Sequence, residues 1–344
     1  MIPSNSTEQF AGKTALVTGA NSGLGFEAAA QLAEAGYSRV ILACRTLEKA
    51  EAAKQALSLR VGSDLFDTLA VDVSSIASAQ AASNELVKRG HPIDALLLNA
   101  GVVSGEAMNK SVDGFEVAFA ASIIGHHVMT VRLLDAGILL DGTRVVIAGS
   151  EAARNDLPAM MGMQLYDFAT GVPQEFGNTL HDAMISFARG AKPELFSGTR
   201  YYATTKVFTS WWAAAIARKY GDRVSVFAVS PGSNMSTNAA RHATGFKKVL
   251  YTKIMPALGP SLGMSQPVPI GAKRYVDVLN GIGEDYINGK SYMSKPKKLV
   301  GPMQEMKNAH LLDVERQETA WNVLGELAGT VGDPVAQSAT AEVG

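Results

Sequence analysis

The sequence predicts an α/β fold in which helices cover both faces of a doubly wound parallel sheet, and three observations predict it. Apolar runs of strand length alternate with helical stretches from Thr14 onward. The runs are continuously apolar instead of alternating, as strands buried on both faces must be. Gly19, Arg45, Asp72 and Asn99 stand at the carboxyl ends of the first four strands, where such sheets bind ligands.

Composition bounds the function classes. With 344 residues, 47% hydrophobic and 18% charged, the chain can bury a large core. The net charge of −1 gives no electrostatic reason for a nucleic-acid or anionic-membrane partner. Cys44 is the sole cysteine, which excludes an intrachain disulfide framework and is compatible with a reducing compartment. No uninterrupted apolar run reaches the ~18 residues of a membrane span, and Met1 to Phe10 does not read as a signal peptide, so the expectation is a cytoplasmic protein. One domain is expected over residues 11–327, with an insertion at 151–199 and a substrate lid at 233–270. Residues 1–10 and 328–344 read as poorly ordered ends.

Taken in order, Thr14 to Thr18 is a strand, followed by a glycine-rich turn and an alanine-rich helix from near Leu24. Arg39 to Cys44 and Leu47 to Leu57 form a second strand-helix unit; Leu65 to Val71 and Ile76 to Lys88 form a third. Asp94 to Leu98 is the fourth strand, Asp113 to Asp135 a long helix and Arg144 to Ala148 the fifth strand. Glu151 to Thr199 breaks the alternation. A structureless loop of that length is uncommon in a compact domain, so Asn178 to Arg189 is expected to be helical. Arg200 to Tyr220 is a helix, Arg223 to Val229 the sixth strand, Gly271 to Leu279 a helix, Lys290 to Ser294 a last strand and Met303 to Leu327 a final amphipathic helix.

Gly19, Gly23 and Gly25 lack the Cβ that would hold a ligand off the backbone, and the following helix aims unpaired N–H groups at whatever sits there. A diphosphate fits; tight strand-to-helix packing alone would use the same residues. Further along, Tyr202 and Lys206 lie one helical turn apart on one face. A phenol titrates near ~10, and a close ammonium that stabilises the phenolate makes it a usable proton donor and acceptor. The pair also suits a tyrosine packed on the sheet beside a solvated lysine. His126 and His127 are adjacent and point about 100° apart on a helix, so they form no chelating face and no metal is expected.

Together, Thr18-Gly-Ala-Asn-Ser-Gly-Leu-Gly25, Asn99-Ala-Gly101, Ser150, Tyr202 with Lys206, and Pro231-Gly232 resemble the short-chain dehydrogenase/reductase family in residues and order, over roughly residues 11–327. Val40 to Arg45, Asp113 to Glu116 and Asn288 to Tyr292 look most like its retinol dehydrogenase and light-dependent protochlorophyllide reductase branch. The resemblance implies a Rossmann-type single domain. It implies that Tyr202 passes a proton to or from the substrate oxygen, that Ser150 hydrogen-bonds that oxygen, and that Lys206 holds the nicotinamide ribose and lowers the tyrosine's pKa. Ser122 stands where the family usually has an asparagine that helps hold a water near the lysine.

The cofactor set implied is Gly19, Asn21, Ser22, Gly23, Leu24, Gly25, Arg45, Asp72, Val73, Asn99, Ala100, Gly101, Tyr202, Lys206, Pro231, Gly232, Ser236 and Thr237. Arg45 ends the second strand where an acid would favour the unphosphorylated cofactor, so NADP(H) is expected. The implied reaction is reduction of a ketone or aldehyde, or oxidation of the alcohol. C=C reduction of the protochlorophyllide reductase type and a non-catalytic NADP(H)-sensing protein are the alternatives. Pro158, Met160, Met161, Met163, Leu165, Tyr166 and Phe168 either line a roomy apolar pocket or cover the sheet edge. With the apolar stretch Val249 to Leu262 as a lid, they predict a bulky hydrophobic substrate. The insertion beside the tyrosine helix resembles that of monomeric carbonyl reductases, which implies a monomer.

Overall fold

The computed structural model describes residues 8–103, 105–234, 263–283 and 285–330. Its strands are β1 Thr14–Thr18, β2 Arg39–Cys44, β3 Phe66–Ala70, β4 Ile93–Leu98, β5 Leu139–Ala148, β6 Val224–Val229, β7 Ser291–Ser294 and β8 Met303–Glu305. They lie in one sheet in the order β3-β2-β1-β4-β5-β6-β7-β8, parallel throughout except for the antiparallel β7–β8 edge pair. The chain builds outward from β1 to β3 and then returns to build from β4 in the opposite direction. The crevice at the carboxyl ends of β1 and β4 is therefore the switch point where a ligand fits.

Helices α1 Gly23–Glu34, α2 Leu47–Val61 and α7 Val268–Asn280 cover one face. The other face carries α3 Ile76–Arg89, α4 Val117–Asp135, α5 Leu180–Ala188, α6 Gly198–Tyr220, the short α8 Ala309–Leu312, and α9 Val314–Ala328. Local chemistry sets several ends. Thr46 and Ser75 accept the first-turn N–H groups of α2 and α3, and Gly62 and Gly90 close them at φ +72° and +68°.

The element reading needs correction in several places, among them the start of β5, which is Leu139 and not Arg144. The helix expected from Asp113 starts at Val117, because Gly114 turns the chain at φ +82°, Lys110 bridges to Glu116, and the Glu116 carboxylate caps Phe119 N at 2.9 Å. Met303 to Leu327 is not one helix: Met303–Glu305 adds to the sheet edge, pairing Tyr292 with Glu305 and Ser294 with Met303, and the helix proper begins after the cap at Asp313. Phe10, assigned to the N-terminal tail by the sequence, is buried and stacks on Tyr37 at 4.8 Å. Asn178 to Arg189 contains α5, as expected.

Helix α4 has the length and mean hydropathy, 1.5, of a membrane span, but 89% of it is buried inside the fold, which makes it a core helix. Its Ala120–Ile124 turn is π-helical. A Cβ at Gly125 would come within 2.2 Å of the Val73 carbonyl oxygen, so only glycine lets α4 approach the end of β3. Helices α6 and α9 are tied together by Arg218 and Glu318 at 2.7 Å, and Trp211 Nε1 donates to His310 O at 2.6 Å. Trp211 and Trp212 are both core residues.

Candidate active site

The turn after β1 contains two kinds of glycine. A Cβ at Gly25 would stand 2.4 Å from Gly19 O and 2.5 Å from Asn99 Nδ2, so this residue closes the turn. Gly23, at φ +58°, has nothing within 4 Å of its missing Cβ, leaving the backbone bare at the start of α1. Asn21 and Ser22 complete the turn, and Leu24 lines a cleft beside it. Asn99 contributes packing: its Nδ2 donates to Thr18 O at 3.0 Å, while Asn99 N and Ala100 N donate to Thr18 Oγ1 at 2.9 Å each.

Thr18 continues into a buried chain that sequence reading missed. Its Oγ1 lies 3.0 Å from His126 Nε2, and His126 Nδ1 lies 3.1 Å from Ser122 O. A carbonyl only accepts, so the proton sits on Nδ1 and Thr18 donates to Nε2. Burial pushes His126 down to about 4, which keeps this neutral tautomer. Ser122 is itself buried, with its hydroxyl lacking a hydrogen-bond partner among the described residues and 3.4 Å from where a Gly101 Cβ would stand.

Ser150 follows β5 and leads a short 3-10 turn, Glu151–Arg154, with its hydroxyl accepting from Ala152 N at 3.2 Å. Tyr202 and Lys206 come from α6. Lys206 is buried with Nζ donating to Ala148 O at 2.8 Å and 5.7 Å from the Tyr202 ring centre. Burial lowers its pKa to about 8, so it remains a cation at neutral pH. Burial raises the Tyr202 phenol above its ordinary value, a hydrogen bond with Ser150 pulls it down, and the Glu151 charge pushes it up. The expected lowering of the phenol by Lys206 is therefore corrected: the ammonium is turned to the Ala148 carbonyl, and desolvation dominates.

Ser150 and Tyr202 share a cleft of about 360 Å³ with Leu24, Pro231 and Gly232. Leu157, Met161 and Met163 from the insertion, Val103 and Leu299 supply its apolar wall. The other insertion residues go elsewhere. Leu165, Tyr166 and Phe168 are buried in the core, where Phe187 of α5 stacks on Tyr201 at 4.4 Å and draws the aromatics inward. Met160 is 94% exposed and Pro158 is exposed too.

Arg45 is exposed at the end of β2, with no ion-pair partner among the described residues, and Lys49 is exposed one turn on. Asp72 accepts from Ser74 N at 2.9 Å and Ser74 Oγ at 2.6 Å, and Val73 is buried against α4. Pro231 O accepts from Asn234 Nδ2 at 2.9 Å and Gln266 Nε2 at 2.6 Å, and Gly232 takes φ +74°. Ser236, Thr237 and the Val249 to Leu262 stretch lie outside the described residues. The sequence reading also passed over Glu151 and Arg274; the one available signal was a carboxylate directly after the strand-end serine.

The short chain dehydrogenase family model matches residues 13–163. Protochlorophyllide reductase from Chlamydomonas reinhardtii is 30% identical over 251 residues, covering 70% of this chain and 60% of that protein. Human retinol dehydrogenase 13 is 36% identical over 124 residues, 36% of this chain and 37% of that one. The matched parts thus span under two thirds of these relatives. The fold is that of a crystal structure from Mycobacterium paratuberculosis, with a TM-score of 0.65 at 21% identity, covering 94% of this chain and 96% of that chain. With the glycine turn, the strand-end serine and the tyrosine and lysine on one helix in the family order, the chain belongs to the short-chain dehydrogenase/reductase family, an oxidoreductase family.

Proposed function

We propose that this oxidoreductase uses NADP(H) to reduce a bulky hydrophobic ketone or aldehyde, or to oxidise the corresponding alcohol. The observation that carries this reading is the meeting of Ser150 and Tyr202 with the glycine-turn residue Leu24 and with Gly232 in one apolar-walled cleft. The residues fit the cofactor: bare backbone at Gly23 heads α1 for a diphosphate, and Arg45 stands exposed for a 2′-phosphate. When bound, NADPH supplies the hydride.

The chain's own residues do the rest. Ser150 donates to the carbonyl oxygen and polarises it. Tyr202 gives that oxygen its proton, and its raised pKa keeps the donor form filled at neutral pH. Lys206, a cation one turn along the helix with its ammonium held by Ala148 O, would hold the nicotinamide ribose. Leu157, Met161 and Met163 bury an apolar substrate body and exclude water. Oxidation of NADPH by the purified protein, followed over a panel of polycyclic, long-chain and small polar carbonyls, tests the reading. A higher kcat/KM for small polar ketones contradicts the hydrophobic pocket, and no turnover with any carbonyl favours the sensing alternative. C=C reduction gains support from the likeness to protochlorophyllide reductase, but Cys44 is buried on β2 and no cysteine lines the cleft.

Two further parts belong to the proposal. The protein is a monomer, a reading supported by α5 and α9, which pack over α6 and α4 and cover the outer side of the tyrosine helix. It acts in the cytoplasm, in keeping with its single buried thiol, raised to about 11 by burial.

A further inference from the structure

Next to the catalytic serine, a carboxylate and a guanidinium meet inside the protein. Glu151 is 4% exposed and Arg274, on α7, 6%. Glu151 Oε1 accepts from Ser294 N at 3.2 Å and Ser294 Oγ at 2.9 Å, and lies 3.4 Å from Arg274 Nη1; Oε2 accepts from Ser230 Oγ. Arg274 also donates to Ser230 O at 3.1 Å, to Ser294 Oγ at 3.1 Å and to Gly301 O. Ser230 Oγ in turn accepts from Gly232 N at 3.2 Å, and a Cβ on Gly232 would meet Arg274 Nη1 at 3.0 Å. One buried pair thus joins the ends of β5, β6 and β7 to α7.

A buried ion pair of this kind contributes little net stability, because desolvation offsets its attraction, while losing one partner is costly. Its position accounts for it better. Glu151 is the residue after Ser150, and Ser230 is the residue before Pro231-Gly232. The pair therefore spans the group that would hold the substrate oxygen and the loop that would border the nicotinamide. We propose that Glu151 and Arg274 are a positioning pair that fixes the catalytic serine turn against the Pro231-Gly232 loop, setting substrate oxygen and cofactor in register. The inference rests on the oxidoreductase reading above.

The pair also has an electrostatic signature. Among the described residues, the groups facing Tyr202 are Ser150 and Glu151 from the β5 end, Lys206 on its own helix and Tyr275 from α7, with Arg274 paired to Glu151 behind them. Glu151 is the anion among them and raises the phenol. Removing its charge moves the alkaline fall of carbonyl-reducing kcat/KM, where Tyr202 loses its proton, to lower pH.

The test compares Glu151→Gln, Arg274→Lys and the neutral double variant Glu151→Gln/Arg274→Gln with the wild type, each confirmed folded by its melting curve. Readouts are kcat, KM, the pH profile and NADPH affinity by fluorescence titration. Expected are losses of about 10- to 100-fold in kcat with a much smaller change in substrate KM, as small displacements of reacting groups produce, and NADPH binding weakened several-fold in Arg274→Lys. Glu151→Gln alone shifts the alkaline limb downward, and Glu151→Asp recovers part of the rate. Any folded variant with wild-type kcat, pH profile and NADPH affinity overturns the proposal; if neither single variant folds, the double variant decides by the same criteria. If the wild type binds NADPH but reduces no carbonyl, the functional reading fails, and the NADPH titration of Arg274→Lys still decides the pair.

Discussion

Arg45 and His127 mark two opposite ways in which a side chain of this protein meets its surroundings. Arg45 reaches solvent at the end of β2 with no carboxylate paired to it among the described residues, so Arg45→Ala should weaken NADPH far more than NADH. Fluorescence titrations giving equal losses for the two cofactors contradict a 2′-phosphate contact. His127 is buried between Trp212 and Trp321, its Nε2 2.9 Å from Thr330 Oγ1, and burial depresses its pKa from 6.5 to about 3. The folded state then binds fewer protons than the unfolded state between those values, so this residue's contribution to stability falls as pH drops from 6.5 toward 3. A His127→Phe variant should show a shallower acid-side decline in melting temperature; an unchanged slope contradicts the buried neutral imidazole. The placement of Tyr202 and Lys206 on one helix and of Ser150 at the end of β5 was legible, because spacing and order carry it. Thr18, His126, Glu151 and Arg274 were not, because each acts through partners far away in sequence that only the fold brings near.

Elements were legible where their signal is local. Continuous apolar runs and the helical stretches between them placed β1 to β4, β6 and the first three helices within a few residues, whereas β5 starts at Leu139 and not at the predicted Arg144. β8 was not legible, since three residues become a strand only through pairing with β7, and Gly114 delayed α4 by a turn that its apolar pattern did not reveal. The destination of Leu165, Tyr166 and Phe168 was likewise set by α5, whose Phe187 gathers them into the core. The glycine turn offers a test of its own. Gly25→Ala places a methyl against Gly19 O and Asn99, so it should cost about 1–3 kcal/mol of stability. NADPH binding should be lost with it; an unchanged melting curve with wild-type NADPH affinity contradicts the close approach of α1 to β1.

At the scale of the whole molecule, the two layers of helices flank the switch between β1 and β4, and the chain brings Ser150, Tyr202, Leu24 and Gly232 to one cleft. The opposite side of the tyrosine helix is closed off by α9, with Arg218 gripping Glu318 and Trp321 packed on His127. Light scattering should therefore report the mass of a single chain at micromolar concentration, and a stable dimer or tetramer contradicts the covered helix face. The proposed central claim, that this cleft carries out proton-coupled hydride transfer through Tyr202, meets its most direct test in Tyr202→Phe. Its steady-state NADPH oxidation with the best carbonyl of the panel should fall by more than about 100-fold, while NADPH affinity, measured on the same preparation, stays within about twofold of wild type. A variant that keeps more than about a tenth of the wild-type kcat contradicts the account.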